Sequence, residues 1–350
     1  SNYGPTFKTE EGVFAWSFVV GRSIKGAEQW YRMNKASNFT EFKSALEMRG
    51  IGALNFVYAD KEDNIFYLSN GSFPKRNPKY DWSGILPGNT SETLWTDETI
   101  SLDSLPQVLN PKSGWVFNTN NTPYSASDAL SNFKETSLNA IMGYQSVGLE
   151  NNRSNRFLEL ISQYDSLSYT DFKRIKYDNQ YPSKMMTPKA TNLEMLMHLD
   201  ATKYPDISDG IIQLTNWNRK SDLENTTAAL FIVSWLEIDR IRTEAGRNIR
   251  YGTVTEEDCI AGIRKAKKEL LEKYGTLEVP LKKVQRLIRG DVNLPMAGMP
   301  DVLAAMYSKE HTDGTYKAHA GESYIELVRF GENGVEIESV NTFGASEKPS

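Results

Sequence analysis

The sequence predicts an α+β protein in which strands near the two chain ends flank a large helical region. Runs rich in aromatic and β-branched residues occur before residue 70 and after residue 320, whereas apolar residues between them recur at helical spacing. With 350 residues, 39% hydrophobic and 24% charged, the composition is that of a globular chain with a sizeable core. We therefore expect the terminal strands to share a sheet into which the helical region is inserted.

Residues 1–125 are predicted to form sandwich strands and two helices. The polar turn Asp60–Asn64 between two apolar runs indicates a hairpin. Residues 70–111 are rich in Gly, Pro, Asn, Ser and Trp and lack periodicity, so we expect a long loop of the kind that often carries function. The elements predicted here are strands at Pro5–Lys8, Val13–Val20, Asn55–Ala59, Ile65–Ser69 and Gly114–Phe117 and helices at Gly26–Lys35 and Thr40–Met48.

Residues 126–310 are predicted to be mainly helical, and residues 311–350 to return to the sandwich. The C-terminal strands, Ser323–Phe330 and Val335–Val340, flank a turn containing two glycines, which indicates a hairpin. The predicted helices are Arg153–Gln163, Asn192–Leu199, Thr226–Arg242, Glu256–Tyr274 and Leu281–Ile288.

Charge and composition exclude several classes of partner. The net charge is −5 and the basic residues form no stripe, so nucleic acid is not an expected partner. No apolar run approaches the roughly 20 residues that span a bilayer. The single cysteine, Cys259, permits neither an internal disulfide nor a cysteine zinc cluster, and its helical, apolar surroundings predict a core residue.

Several catalytic chemistries lack their motifs. The three histidines form no H-E-x-x-H pattern, and neither a G-x-S-x-G elbow nor a phosphate-binding glycine loop occurs. Residues Ser131–Lys134 match S-x-x-K, but the companion motifs are missing and so short a pattern arises by chance. The remaining chemistry is that of a site that needs neither histidine nor metal.

The segment Asn110–Pro123, NPKSGWVFNTNNTP, resembles the most diagnostic stretch of the penicillin acylase family, in which N-P-x-S-G-aromatic leads into N-x-N-N-x-P. Asn218 departs from that family's pattern, in which W-D is usual where this chain has Trp217-Asn218. Further matches follow in family order over nearly the whole chain, at Tyr3–Pro5, Asn55–Asp60, Gly71–Arg76, Trp82–Gly84 and Gly321–Tyr324.

The resemblance implies an N-terminal-nucleophile hydrolase, a layered sandwich with a large helical insertion, of which this chain is expected to hold an incomplete part. In this family a serine at the start of the catalytic chain attacks an amide, and its own α-amino group is the base. Asn120 matches the family's oxyanion asparagine; alternatively Asn118, Asn120 and Asn121 are only turn residues. No cofactor is expected for catalysis.

Two further site residues are implied by the resemblance. Arg153 aligns with an arginine that orients the nucleophile's amine and the asparagine, although Arg156 could take that role or both could be solvated helix residues. Asp128 aligns with a ligand of a structural calcium, whose other ligands would lie upstream of this chain.

The family's nucleophile is expected to lie outside this chain. The N-D-P-H segment that follows the nucleophile in the family is absent after Ser1, so Ser1 is interpreted as a fragment edge rather than the nucleophile. The parent protein is then expected to hydrolyse an N-acyl amide, such as a β-lactam, an acyl-homoserine lactone or a lipopeptide, with an alpha chain and other parts of the same precursor. A periplasmic or extracellular location follows from the resemblance. The alternative is a non-catalytic binding protein that retains the fold.

Overall fold

The computed structural model describes residues 1–19, 23–134, 151–185, 193–246 and 254–343. The chain divides into two compact units, Ser1–Leu149 (unit 1) and Glu150–Ser350 (unit 2). Each unit has its own hydrophobic core.

Unit 1 is built on a three-stranded antiparallel sheet in the order β3–β4–β5, beside a separate hairpin of β1 and β2. Its regular elements in the described residues are strands β1 (Thr6–Thr9), β2 (Gly12–Ala15), β3 (Leu54–Ala59), β4 (Ile65–Asn70) and β5 (Gln107–Leu109) and helices α1 (Gly26–Lys35) and α2 (Phe39–Glu47). The central strand β4 is buried along almost its whole length. The short strand β5 is followed directly by the segment Asn110–Pro123.

The core of unit 1 lies between this sheet and the helices. Leu46 of α2 packs in one buried cluster with Phe66 and Leu68 of β4. Asn38 caps α2 by accepting a hydrogen bond from the Glu41 amide at 3.0 Å, which satisfies one of the amides that a helix start leaves open. Burial and capping together fix the helix against the sheet.

Unit 2 combines a helical core with a four-stranded sheet in the order β7–β6–β9–β8 and a separate hairpin of β10 and β11. The helices in its described residues are α3 (Asn152–Ile161), α4 (Tyr169–Lys176), α5 (Ser208–Thr215), α6 (Thr226–Glu244), α7 (Glu256–Tyr274) and α8 (Leu281–Val284). The strands are β6 (Gln285–Arg289), β7 (Val292–Pro295), β8 (Met306–Glu310), β9 (Tyr316–Gly321), β10 (Tyr324–Gly331) and β11 (Gly334–Asn341).

The centre of unit 2 is the contact between α6 and α7. The stretch Ala228–Ser234 is buried on every side, which explains why this part of α6 lacks a polar face. A Cβ on Gly262 would lie 2.7 Å from the Ser234 carbonyl oxygen, so glycine is required for the close approach of the two helices. Cys259 is fully buried here, which confirms it as a core residue, and burial raises the pKa of its thiol to about 12.

Several sequence predictions need correction. Residues 114–117 form no strand, because the chain leaves the sheet after β5. The helix predicted at Leu281–Ile288 ends at Val284, and the chain continues as β6, which pairs with β7 and β9. Tertiary pairing overrides local propensity at this point.

The sheet expected to be shared by the two chain ends stays a prediction. Strand β10 pairs with β11 and β1 pairs with β2, each as a two-stranded sheet. The region 126–310, predicted to be mainly helical, also contains β6, β7 and β8. Val20 and Asn192, at the ends of two predicted elements, lie outside the described residues. The three-region division at residues 125 and 310 stays a prediction.

Candidate active site

The asparagine segment begins where β5 leaves the sheet. Asn110 has a φ of 46°, and its side-chain oxygen accepts a hydrogen bond from the Ile65 amide at 2.8 Å. Further along, the Phe117 amide donates to the Ala126 carbonyl at 2.9 Å, and the Ser127 hydroxyl donates to the Trp115 carbonyl at 2.9 Å. These contacts close residues 115–127 into a compact loop, which we call the asparagine loop.

Asn121 is the internal anchor of the asparagine loop. It is 4% exposed, and its Oδ1 accepts a hydrogen bond from the Thr119 amide at 2.8 Å. Its Nδ2 donates to the Ser125 carbonyl at 2.9 Å and to the Ser125 hydroxyl at 3.0 Å. Both ends of this amide are used within the loop, so Asn121 has the structural role that the turn interpretation predicts.

Asn120 has a different environment from Asn121. It is exposed, and its φ of 63° places it in the left-handed region, which asparagine tolerates better than most residues. Its backbone amide donates to Asn118 Oδ1 at 3.2 Å. The loop therefore holds the backbone of Asn120 and presents this residue at the surface of unit 1.

From the sequence, Asn118 is predicted only as a turn residue. Its Oδ1 fixes the Asn120 amide, and its Nδ2 is buried without a hydrogen-bond partner among the described residues. Such a buried amide costs about 1–3 kcal/mol, and unsatisfied groups in a native fold call for an explanation. A buried, unpartnered amide two residues from Asn120 gives the loop a second candidate hydrogen-bond donor.

Asp128 lies just beyond the loop and behaves as a turn residue. Its Oδ1 accepts hydrogen bonds from the Leu130 amide at 2.9 Å and the Ser131 amide at 3.1 Å. Hydrogen bonds from Ser131 are the largest influence on Asp128 and hold its pKa below the ordinary value, against a smaller opposing effect of burial.

A calcium ion takes six to eight oxygen ligands. In the described ranges, no group of three or more His, Cys, Asp or Glu side chains gathers around Asp128 or elsewhere in a way that could hold a metal. The structural calcium and its ligand Asp128 stay predictions.

Arg153 lies in the first turn of α3. Asn151 caps this helix through a reciprocal pair of hydrogen bonds with Ser154, at 2.9 and 3.0 Å. Arg153 Nε donates to Asp301 Oδ1 at 3.0 Å, and the side chain is three-quarters buried. The sequence contained no signal for Asp301, because the two residues lie 148 positions apart.

Arg156, the alternative to Arg153, is bound to the fold by carboxylates. Its Nε and Nη2 donate to the two oxygens of Asp178 at 3.0 and 2.9 Å, and Nη1 donates to Glu159 at 3.2 Å. The bond to Asp178 raises the pKa of the guanidinium. This bidentate arrangement ties α3 to the segment after α4 and gives Arg156 a structural explanation.

The predicted site residues lie in both units. Asn120 and Asp128 belong to unit 1 and Arg153 belongs to unit 2, so the predicted convergence of Asn120 and Arg153 stays a prediction. Both arginines of α3 are bound by a carboxylate, Arg153 by Asp301 and Arg156 by Asp178, so the choice between them also stays a prediction.

Unit 1 also contains a cavity of about 1210 Å³ that sequence analysis did not locate. Its polar neighbour Arg76 has its guanidinium 5.2 Å from the Trp82 ring and 4.8 Å from the Trp95 ring. In the sequence, this cavity is indicated only by the tryptophan content of residues 70–111. The principal apolar lining residues are Phe7, Phe14, Trp16, Trp82, Ile85 and Trp95.

The family model for penicillin amidase matches residues 1–350. The chain belongs to the penicillin amidase family. Penicillin G acylase of Escherichia coli is 30% identical over 129 residues, which cover 33% of this chain and 13% of that protein. The acyl-homoserine lactone acylase PvdQ is 21% identical in Pseudomonas fluorescens and 22% identical in Pseudomonas putida; these alignments cover 100% of this chain and 50% and 49% of the relatives.

The fold agrees with this membership of the penicillin amidase family. A thermostable penicillin G acylase from Alcaligenes faecalis matches with a TM-score of 0.52 and 17% identity, over 99% of this chain and 70% of that chain. The N-terminal-nucleophile hydrolase fold expected from the sequence is thereby confirmed. The chain spans about half the length of the PvdQ relatives. Among the described helices, none combines the length and the apolar character needed to cross a membrane.

Proposed function

We propose that this chain is part of an amidohydrolase that cleaves the amide bond of an N-acyl substrate. The observation that carries the proposal is the match of all 350 residues to the penicillin amidase family. The asparagine loop supports it, because Asn120 is held at the surface by its backbone while Asn121 supplies the internal hydrogen bonds. Its exposed position leaves Asn120 accessible to a substrate.

The proposed chemistry needs no cofactor. A serine hydroxyl oxygen attacks the amide carbonyl carbon while its proton passes to the α-amino group of the same residue, whose pKa is ordinarily about 7.7–8.0. The tetrahedral oxyanion accepts a hydrogen bond from the Asn120 side-chain amide. The C–N bond then breaks, the protonated base gives its proton to the leaving amine, and water hydrolyses the acyl ester.

Arg153 is proposed to orient the reacting amine and Asn120, and the nucleophile is proposed to come from a part of the parent protein outside this chain. The coverage of about half of the PvdQ relatives leaves room for such parts, including an alpha chain from the same precursor. A periplasmic or extracellular location and a calcium ion completed by ligands outside this chain belong to the same proposal.

The acyl group of the substrate is proposed to be apolar. Two features support this: the relatives are named penicillin G acylase and acyl-homoserine lactone acylase, and unit 1 carries an aromatic cavity. Cavities of this kind bind the apolar part of a ligand and leave orientation to a few polar groups. β-Lactams, acyl-homoserine lactones and lipopeptides are the classes to be compared.

The test compares the processed parent protein with the isolated 350-residue chain. Amine release from phenylacetyl and fatty-acyl amides is measured for both, and we expect turnover by the parent alone. Turnover by the isolated chain that disappears in Ser1→Ala would identify Ser1 as the nucleophile. Tight binding of these amides by the parent without any turnover would instead support a non-catalytic binding protein.

A further inference from the structure

We infer that Asp301 is the positioning residue for Arg153. The inference rests on the role proposed for Arg153 and adds a residue that neither the sequence motifs nor the family match identified. Asp301 acts through the arginine and is not itself assigned a contact with substrate.

One carboxylate holds two consecutive residues at the start of α3. Asp301 Oδ1 accepts the hydrogen bond from Arg153 Nε at 3.0 Å, and Oδ2 accepts one from the Asn152 backbone amide at 2.9 Å. The first amides of a helix lack partners within the helix and attract anions. Because the helix end and the guanidinium are bound to the same group, the direction of the Arg153 side chain is fixed relative to α3.

The backbone of Asp301 is in a left-handed conformation that its surroundings maintain. Its φ is 62°, in the left-handed region that side chains other than those of Asn and Asp rarely adopt. The Tyr181 hydroxyl, in a fully buried side chain, donates to the Pro300 carbonyl at 2.6 Å, and the Ala304 amide donates to the Asp178 carbonyl at 2.9 Å. Strain that neighbouring contacts maintain is concentrated at functional sites in proteins.

The electrostatics argue against a purely stabilising pair. The side chain of Asp301 is 16% exposed, and burial raises its pKa although Arg153 acts in the opposite direction. Removing a charged pair from water costs free energy that its attraction only partly offsets, so a buried ion pair is weak support for stability. A charged residue at this point is better explained by the orientation it gives to Arg153.

Arg156 and Asp178 provide a matched control one turn further along α3. Asp178 binds Arg156 through two hydrogen bonds of 3.0 and 2.9 Å, and both partners are similarly buried. Replacing Asp178 removes an equivalent carboxylate partner of the same helix and leaves the contacts between Arg153 and Asp301 in place. An effect common to both replacements reports on the stability of α3, and an effect confined to Asp301 reports on Arg153.

The experiment measures kcat, KM and melting temperature for the processed parent protein and its variants Asp301→Asn, Arg153→Ala, the double variant and Asp178→Asn. We expect Asp301→Asn to lower kcat by about 10²-fold, the loss typical of a misplaced reacting group, with KM changed by less than about threefold. The double variant should be no slower than Arg153→Ala alone, because the two act as a unit. Asp178→Asn should lower the melting temperature and leave kcat per folded molecule unchanged.

The outcomes separate the two proposals. If Arg153→Ala leaves kcat unchanged, the role proposed for the arginine is wrong, and the inference about Asp301 falls with it. If Arg153→Ala is slow but Asp301→Asn has normal kcat, or if their effects multiply in the double variant, Asp301 is only structural. Should Asp301→Asn fail to fold, Asp301→Gly removes the carboxylate while relaxing the positive φ, and the same comparison of kcat decides.

Discussion

Replacing Asn120 with alanine in the parent protein should reduce kcat by about 10²–10³-fold, or about 2.7–4 kcal/mol of transition-state stabilisation, with a modest change in KM. An oxyanion donor contributes little to ground-state binding, because the negative charge develops only as the nucleophile adds to the carbonyl. The effect should therefore appear in kcat.

The structure sets the accompanying change in stability. Asn120 is exposed, so its truncation removes no core packing, but alanine at a φ of 63° adds about 1 kcal/mol of backbone strain. Asn120→Gly removes the same amide without that strain. Asn121→Ala is the matched control: it loses the 2.8 Å bond from Thr119 and the 2.9 Å bond to Ser125, each contributing about 1 kcal/mol.

The assay is steady-state amide hydrolysis together with thermal unfolding, both on purified and processed parent protein. We expect Asn120→Gly to be slow but as stable as the wild type, and Asn121→Ala to unfold several degrees lower. If Asn120→Gly keeps wild-type kcat per folded molecule, or loses activity only in proportion to the yield of folded enzyme, the oxyanion role is refuted.

Three further predictions concern single side chains. Asn118→Ala should change the melting temperature by less than about 2 °C, because the loss of one hydrogen bond of about 1 kcal/mol is offset by the removal of a buried unsatisfied amide. Its kcat should fall about tenfold, because the Asn120 backbone amide loses its hydrogen bond to Asn118. Hydrogen bonds to the Asp128 carboxylate stabilise the chain at pH values above 3.8, the ordinary pKa of this group, and this stabilisation is lost as the pH falls below that value. The melting temperature of Asp128→Asn should therefore depend less on pH than that of the wild type. Calcium should not raise the melting temperature of the isolated chain. Cys259 should resist iodoacetamide at pH 8 until the protein unfolds, because its pKa is about 12; labelling followed by mass spectrometry tests this.

Some elements could be predicted closely because their determinants are local. Helix α7 has the bounds that the apolar spacing predicted, since Thr255 and Asp258 form a capping box at its start and Gly275 ends it in the left-handed conformation. The two hairpins around Asp60–Asn64 and residues 331–334 also followed from turn chemistry.

Other features depend on contacts between distant parts of the chain. Strand β6 follows a helical pattern in sequence and becomes extended only because β7 and β9 are available to pair with it. Asp301 lies 148 residues from Arg153, and no local pattern marks an aspartate that will occupy a positive φ and receive an arginine. The aromatic cavity likewise combines the first hairpin with residues 82–97, which only the folded unit brings together.

The asparagine loop shows what residue type alone leaves undecided. Asn118, Asn120 and Asn121 have the same side chain but different environments. Asn118 accepts a local hydrogen bond, Asn120 is exposed at a positive φ, and Asn121 is buried with its side-chain amide hydrogen-bonded. At position 121 both a donor and an acceptor are needed, so aspartate would lose the bonds to Ser125. At position 120 aspartate would tolerate the same backbone but would bring a negative charge to the proposed oxyanion and no donor for it. Packing therefore requires asparagine at one position and the proposed chemistry requires it at the other.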